Sequence, residues 1–305
     1  MIERAAREAL EEALGDQVQF DASLARATSL RVGGKAGALA APATRGELQR
    51  TLRTCSIHRL PHAVLGSGFN TLAPDAPYPG VVIQLAKFRR LEERPEFTLR
   101  IEAGVSHGRI TNFCTERGLA GLEFGAGIPG TFGGWLAMNA GIPGREVKDV
   151  LCEIEVMSPT GSRIAHVPRR RLRFVYRALH GLAPGSILLS GLVRVRRSNR
   201  TRVKAEIEEL LARRSATQPL SVPSCGSVFK NPPGDHAGRL IDAAGLKGRQ
   251  VGGAQISTLH ANFITNIGGA SAADVLALIE MAQVAVRART GVKLVREVRI
   301  LGSER

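Results

Sequence analysis

Apolar residues recur at helical spacing in several stretches of the chain. Residues 45–58 read as a helix, and residues 1–17 as a charged amphipathic one without the apolar core of an export signal. Residues 203–214 place Ile207, Leu210 and Leu211 on one side. The clearest pattern is near the end. Ser271 stands as N-cap with Asp274 three positions on, Val275, Leu278, Ile279 and Ala282 follow along one face, and Gly291 stops the run. Strand-like runs at 37–41, 63–65 and 81–85 surround the first long helix and predict a small βαβ unit. Runs at 99–103, 153–157 and 187–195 enclose a glycine-rich centre and predict a second α+β module. In 292–301, Val292, Leu294, Val298 and Ile300 share one face of a predicted strand, so Glu297 points the other way with Lys293, Val295 and Arg299. The expected class is therefore α+β in three parts: residues 1–85, 86–202 and 203–305.

Composition narrows the function. Hydrophobic residues at 44% and charged residues at 23% are ordinary globular proportions, which sets aside disorder and repeat arrays. The uncharged stretch 124–144 has membrane-like length, but Pro129, Pro143, Asn139 and its glycines break it, so we expect a buried loop and helix start without membrane insertion. Cys55, Cys114, Cys152 and Cys225 show no metal-ligand spacing. They predict reduced thiols, a cytoplasmic protein and no metal site. The formal charge of +15 raises nucleic-acid binding as a possible role. The excess is arginine, 35 against 7 lysines, densest at 169–173 and 194–202 with no interleaved aromatic platform. Solvated surface, or attraction of anionic cofactors and sugar nucleotides, is the better reading.

Two glycine loops carry candidate chemistry. In 64–71, Gly66, Ser67 and Gly68 precede Asn70 and Thr71, and such a loop lets backbone N–H groups wrap a phosphate. It is no dinucleotide fingerprint, because Thr71 replaces the third glycine and Pro74, Pro77 and Pro79 forbid the usual helix. A plain strand-ending turn is the alternative. The second loop holds seven glycines within 125–144, and the string AGIPG occurs at both 126–130 and 140–144. Pro129, Gly130 and Thr131 predict a turn and N-cap, so a helix starting near Phe132 should aim free amides outward, with Gly133 and Gly134 admitting a flat or charged group. Two separated loops suit a pyrophosphate-containing cofactor.

At these residues the chain resembles the UDP-N-acetylenolpyruvoylglucosamine reductase family. The resemblance runs through TSLRVGG at 28–34, GSGFNTL, GIPGTFGGWLAMNAG, Tyr176-Arg177, GSVFKNP, AGRLIDAAGLKG, GGAQISTLHANFITN and Arg296 to Arg299. It implies an FAD-binding fold of the vanillyl-alcohol-oxidase (PCMH) type in two subdomains, followed by a C-terminal α/β substrate domain. It further implies NADPH reducing FAD, then hydride passing from flavin N5 to the enolpyruvyl carbon of UDP-N-acetylglucosamine enolpyruvate in ping-pong order. By resemblance Ser227 is the proton donor, while Arg177 and Glu297 stabilise the enolic intermediate. Arg177 suits a carboxylate gaining charge, whereas Glu297 can help only if protonated or placed as a hydrogen-bond partner. Serine is a weak acid, so Ser227 must face an unusually basic carbon at close range.

The same resemblance places the cofactor against Gly66, Ser67, Gly68, Asn70, Thr71, Gly127, Gly130, Thr131, Gly133, Gly134 and Asn139. It places substrate near Tyr176, Lys230, Asn231 and His260, with Ser257 and Asn262 in the motif of His260. Where the family often has a serine two positions after the arginine, this chain has Leu179. It also matches the shorter branch, without the loop whose tyrosine closes over substrate. We expect a monomer, with no nucleic-acid partner. The rival readings are an oxidase on the same scaffold and a polyanion-binding protein with a vestigial cofactor fold.

Overall fold

The computed structural model describes residues 2–303; Met1, at the head of the predicted N-terminal helix, lies outside them. Contacts divide the chain into two units, and the chain passes between them repeatedly. The first comprises the N-terminal segment to Gln19, Ala38–Gly66 and Gly80–Arg214; the second comprises Phe20–Gly37, Ser67–Pro79 and everything from Ser215.

In the first unit, α1 (Arg4–Leu14) buries Leu10 and Leu14 against α2 (Arg45–Ile57). The second helix starts where Thr44 accepts a hydrogen bond from the Glu47 amide. After it, His62–Leu65 pairs in parallel with Tyr78–Gln84, as the βαβ pattern predicted. The main sheet is antiparallel, in the order Ile164–Pro168, Leu151–Met157, Ile187–Arg194, Thr98–Glu102, Leu91–Arg94.

Alternation gives this sheet two unlike faces. Leu99, Ile101, Ile154 and Val193 are buried on one, in a core shared with α3 (His107–Arg117) and α4 (Phe132–Ala137). Gly191 is obligatory there: an added methyl group would meet the Phe132 ring at 2.9 Å. The other face is polar, and Arg45 bridges Glu155 at 2.6 Å and Glu102 at 3.0 Å. Burial alone would raise the Glu155 pKa, but Arg45 and the Ser190 hydroxyl hold it below its ordinary value.

The short α5 (Val147–Val150) precedes the third of these strands in sequence. Then α6 (Arg200–Thr217) packs Val203 and Ile207 on Ala120 and Ala126. By its contacts most of α6 belongs with the first unit, which runs to Arg214.

The second unit carries a four-stranded antiparallel sheet, Ser224–Ser227, Phe263–Asn266, Ala254–Ile256, Gln250–Val251. It shares one core with α7 (Ala237–Ala243) and α8 (Ala272–Thr290), built from Leu240, Ile264, Val275 and Leu278. Ser271 and Asp274 form the predicted capping box, and Gly291 ends α8 at φ 74°. Asp75 adds a cap from far away, accepting the Ala272 and Ala273 amides.

The strand expected over 292–301 is mostly not formed. Only Arg299–Ile300 pairs, in parallel with Thr71–Leu72, besides an isolated bridge between Arg296 and Phe229. The reason is local: the amides of Glu297 and Val298 both turn to the Val228 carbonyl, which breaks the alternating ladder. Leu294 and Val298 are buried and Glu297 half-buried, so the predicted sidedness survives at those positions. Among the described residues, no helix is long and apolar enough to cross a membrane, and no group of His, Cys, Asp or Glu is arranged to hold a metal.

Candidate functional site

The glycine loops meet within the first unit. A methyl group added to Gly66 would sit 3.2 Å from Thr131 Oγ1, so the end of the first loop faces the start of α4. Gly130, at φ 103°, and Gly134 both look into open space, where a side chain would stand in a ligand's way. This cradle fits a phosphate-bearing cofactor. The free helix amides expected there are partly used, however. Phe132 N donates to Val105 O at 2.9 Å and Gly133 N to Ala103 O at 2.8 Å, so the sheet takes two of them. Gly133 is needed for packing, since an added methyl would lie 2.9 Å from Ala103 Cβ. At Gly127 an added methyl would lie 2.7 Å from Arg214 Cδ, so the glycine admits that side chain.

The two AGIPG strings fold differently. The first leads into α4, whereas the second closes a hairpin in which Gly141–Ile142 pairs with Arg145–Glu146. Asn139, expected at the cofactor, has both amide donors engaged within the protein: Nδ2 reaches Glu146 Oε2 at 2.9 Å and the Val175 carbonyl at 3.2 Å. Its Oδ1 accepts from Lys148 N. These bonds hold the Asn139 side chain within the first unit.

Arg177 lies in the two-residue loop between Arg173–Val175 and Ala178–His180, where Val175 pairs with Ala178. Its φ of 58° is left-handed, a region that costs a branched or long side chain about 1–3 kcal/mol and marks functional turns. The guanidinium stacks 4.9 Å from the exposed Tyr176 ring and approaches Gly141 O at 3.4 Å. Arg214 was missed by the sequence reading. Burial lowers its pKa, and the charge of Arg177 lowers it further. Nothing in the helical pattern of α6 distinguishes it from its arginine neighbours.

Ser227 and Glu297 come together in the second unit through the backbone. Between Ser224 and Ser227 the ladder to Phe263–Asn266 carries one extra residue, and Gly226 takes φ 73° in this bulge, which re-aims Ser227. Glu297 N donates to Val228 O at 2.8 Å and Lys230 N to Val295 O at 2.9 Å. Asn262, 3% exposed, clamps the same segment: Oδ1 accepts Phe229 N at 2.9 Å and Nδ2 donates to Phe229 O at 2.8 Å. Asn70 Nδ2 donates to the Glu297 carbonyl at 3.1 Å, and Thr71 pairs with Arg299. The Ser29 hydroxyl lies 2.9 Å from Gly68 O and 2.7 Å from Ser224 O, tying the first glycine loop to the serine strand. Ser67 is exposed.

Asn231 accepts the Ala237 amide and so caps α7. His260 lies edge-on to Phe263, its Nδ1 accepts the Asn262 amide, and burial lowers its pKa, which keeps the ring neutral. Ser257 closes the preceding turn by accepting the Leu259 and His260 amides. The structure thus brings Ser227, Glu297, Lys230 and Asn70 to one place, and Arg177, Tyr176 and Asn139 to another.

Comparison with known proteins gives the family and the fold. Residues 36–165 match an FAD binding domain model, and residues 218–301 match the C-terminal domain of UDP-N-acetylenolpyruvoylglucosamine reductase. The reductase of Geotalea uraniireducens is 40% identical over 97% of this chain and 98% of its own length. That of Anaeromyxobacter sp. strain K is 44% identical over 92% and 85%. The crystal structure of the Thermus caldophilus reductase superposes with TM-score 0.79 at 34% identity, over 93% of this chain and 97% of that one. Phl p 4.0202, a glucose dehydrogenase, shares the fold alone, at TM-score 0.52 and 14% identity over 65% of this chain and 45% of its own. The fold is the PCMH-type FAD-binding fold followed by a C-terminal domain, and the chain belongs to the UDP-N-acetylenolpyruvoylglucosamine reductase family.

Proposed function

We propose that this protein reduces UDP-N-acetylglucosamine enolpyruvate to UDP-N-acetylmuramate with NADPH, supplying peptidoglycan synthesis, and that Ser227 gives the proton. The observation that carries the residue roles is the bulged strand that re-aims Ser227 while the neighbouring Val228 carbonyl anchors the Glu297 amide. FAD, when bound, carries the electrons from NADPH to the enolpyruvyl group. Gly66, Gly130, Thr131 and Gly134 would hold it, by the open cradle they form.

The residues then divide the remaining work. Arg177 stands as a fixed cation for the substrate carboxylate as charge accumulates there. Glu297 helps by hydrogen bonding to that group. Ser227 Oγ–H protonates the carbon that becomes basic, and the serine oxygen recovers its proton from solvent. Lys230 and Tyr176 are proposed substrate contacts. Asn231 and His260 are proposed to shape that region, given the caps and turns they already make. We assign the reaction to the cytoplasm, which the four free cysteines support, and to a single chain.

Ser227→Ala tests this. NADPH should bleach the flavin at nearly the normal rate, whereas recolouring by the enolpyruvyl sugar nucleotide should slow by about 10²–10⁴-fold. Equal loss in both half-reactions would point to damaged flavin binding and sink the proton-donor role. Rapid recolouring by oxygen alone, indifferent to the sugar nucleotide, would favour an oxidase.

A further inference from the structure

We propose that Asn139 is a positioning residue that sets where the Arg177 guanidinium stands, an inference that rests on the role given to Arg177 above. Asn139 is fully buried and stands just past Met138, the C-cap of α4, at φ 43°, a left-handed backbone that asparagine tolerates better than most residues. Its three hydrogen bonds join two segments, residues 146–148 and the strand that ends at Val175. Nδ2 donates to the Glu146 carboxylate and to the carbonyl of Val175, and Oδ1 accepts from Lys148 at the start of α5.

Val175 is the last paired residue before the Tyr176-Arg177 loop. Holding its carbonyl fixes the peptide plane from which that loop departs. Two residues beyond Asn139, Gly141 offers the carbonyl that Arg177 Nη2 approaches at 3.4 Å. One side chain therefore anchors the base of the turn, and the short segment following it supports the tip.

The choice of asparagine follows from the partners. Two donors and one acceptor in a single plane meet a carboxylate, a carbonyl and an amide. The carboxylate is itself fixed, by Lys148 Nζ and by the capping box with Asp149. Aspartate would bring a second negative charge against Glu146 and lose both donors. Glycine would keep the left-handed backbone and remove only the amide.

The test is a double-mutant cycle of Asn139→Gly with Arg177→Ala, followed through both half-reactions. Asn139→Gly should retain flavin and keep the NADPH half-reaction within about threefold, while recolouring by the enolpyruvyl sugar nucleotide slows about 10–100-fold, the scale of a misplaced group. In the Arg177→Ala background it should cost nothing further. A second readout needs no flavin. In an arginine side-chain ¹⁵N spectrum of the flavin-free protein, the Arg177 Nε signal should move in Asn139→Gly while the other arginine signals hold.

Additive losses, or an unmoved Arg177 signal, would overturn the proposal. So would flavin loss in Asn139→Gly and in the volume-conserving Asn139→Asp alike, which would make Asn139 a cofactor or folding residue. If Arg177→Ala itself leaves the enolpyruvyl half-reaction intact, the role of Arg177 falls first and this proposal with it.

Discussion

The two units hold their candidate groups by opposite means. Arg177 stands on a two-residue turn between three-residue strands, in a left-handed conformation a glycine would adopt freely. Ser227 and Glu297 stand on a backbone network braced by Asn262, with Gly226 taking the left-handed conformation beside Ser227. A long cation can reach its target from a strained turn, because its side chain spans the remaining distance. A serine has almost no reach, so the backbone itself must be placed.

This contrast can be broken most forcibly at Asn262. Replacing it with alanine leaves the buried N–H and C=O of Phe229 without their side-chain partners, at about 1–3 kcal/mol each. Urea unfolding should show a loss of about 3 kcal/mol, and recolouring by substrate should fail while flavin reduction persists. A loss below about 1 kcal/mol would mean that the backbone network stands without its clamp.

A smaller effect distinguishes the two backbones by sign. At Arg177, the glycine variant should be more stable than the alanine variant by about 1 kcal/mol, since only alanine keeps the left-handed strain. At Ser227, on a strand, glycine should be less stable than alanine by about 0.5–1 kcal/mol. Unfolding midpoints of the four proteins decide it, and matching signs at the two sites would erase the distinction.

The smallest expected effect concerns pH. His62 and His107 in the first unit and His260 in the second all have pKa values lowered below 6.5, burial being the main cause in each. Their folded values lie beneath the unfolded one, so the unfolded chain binds protons first. The stability they contribute is complete above about pH 6.5 and is lost as pH falls through the depressed folded values. Thermal midpoints should drop between about pH 7.5 and 5, and His62→Gln with His107→Gln should flatten that slope more than His260→Gln.

How much could be read beforehand follows from distance along the chain. The caps of α8 and the three inner strands of the large sheet were legible, because capping and alternation act within a few residues; its edge strands Leu91–Arg94 and Ile164–Pro168 were not. The two glycine loops were legible one by one, but the meeting of Gly66 with Thr131 was not. Strand order was not legible, nor was the hairpin under Arg177, whose three-residue arms are too short to show a period. Asn70 and Asn139 were placed at the cofactor by the family resemblance, and their protein partners were not legible. Their partners, Glu297 and Val175, lie 227 and 36 positions away, where no local pattern reaches. The same holds for the bulge at Gly226, which exists only against Phe263 and Thr265.

The repeated passage of the chain between units bears on how the protein is made. Leu30, Val32 and Leu72 belong to the core of the second unit, yet the rest of that core comes from residues beyond Ser215. At roughly 5–20 residues per second, segments 20–37 and 67–79 emerge from the ribosome and wait on the order of ten seconds for their partners. The unit that holds Ser227 and Glu297 is therefore completed only once the residues around 300 have been made. A cut at any single point of the chain cannot release it whole: even a cut after Arg214 leaves segments 20–37 and 67–79 on the fragment that carries the first unit.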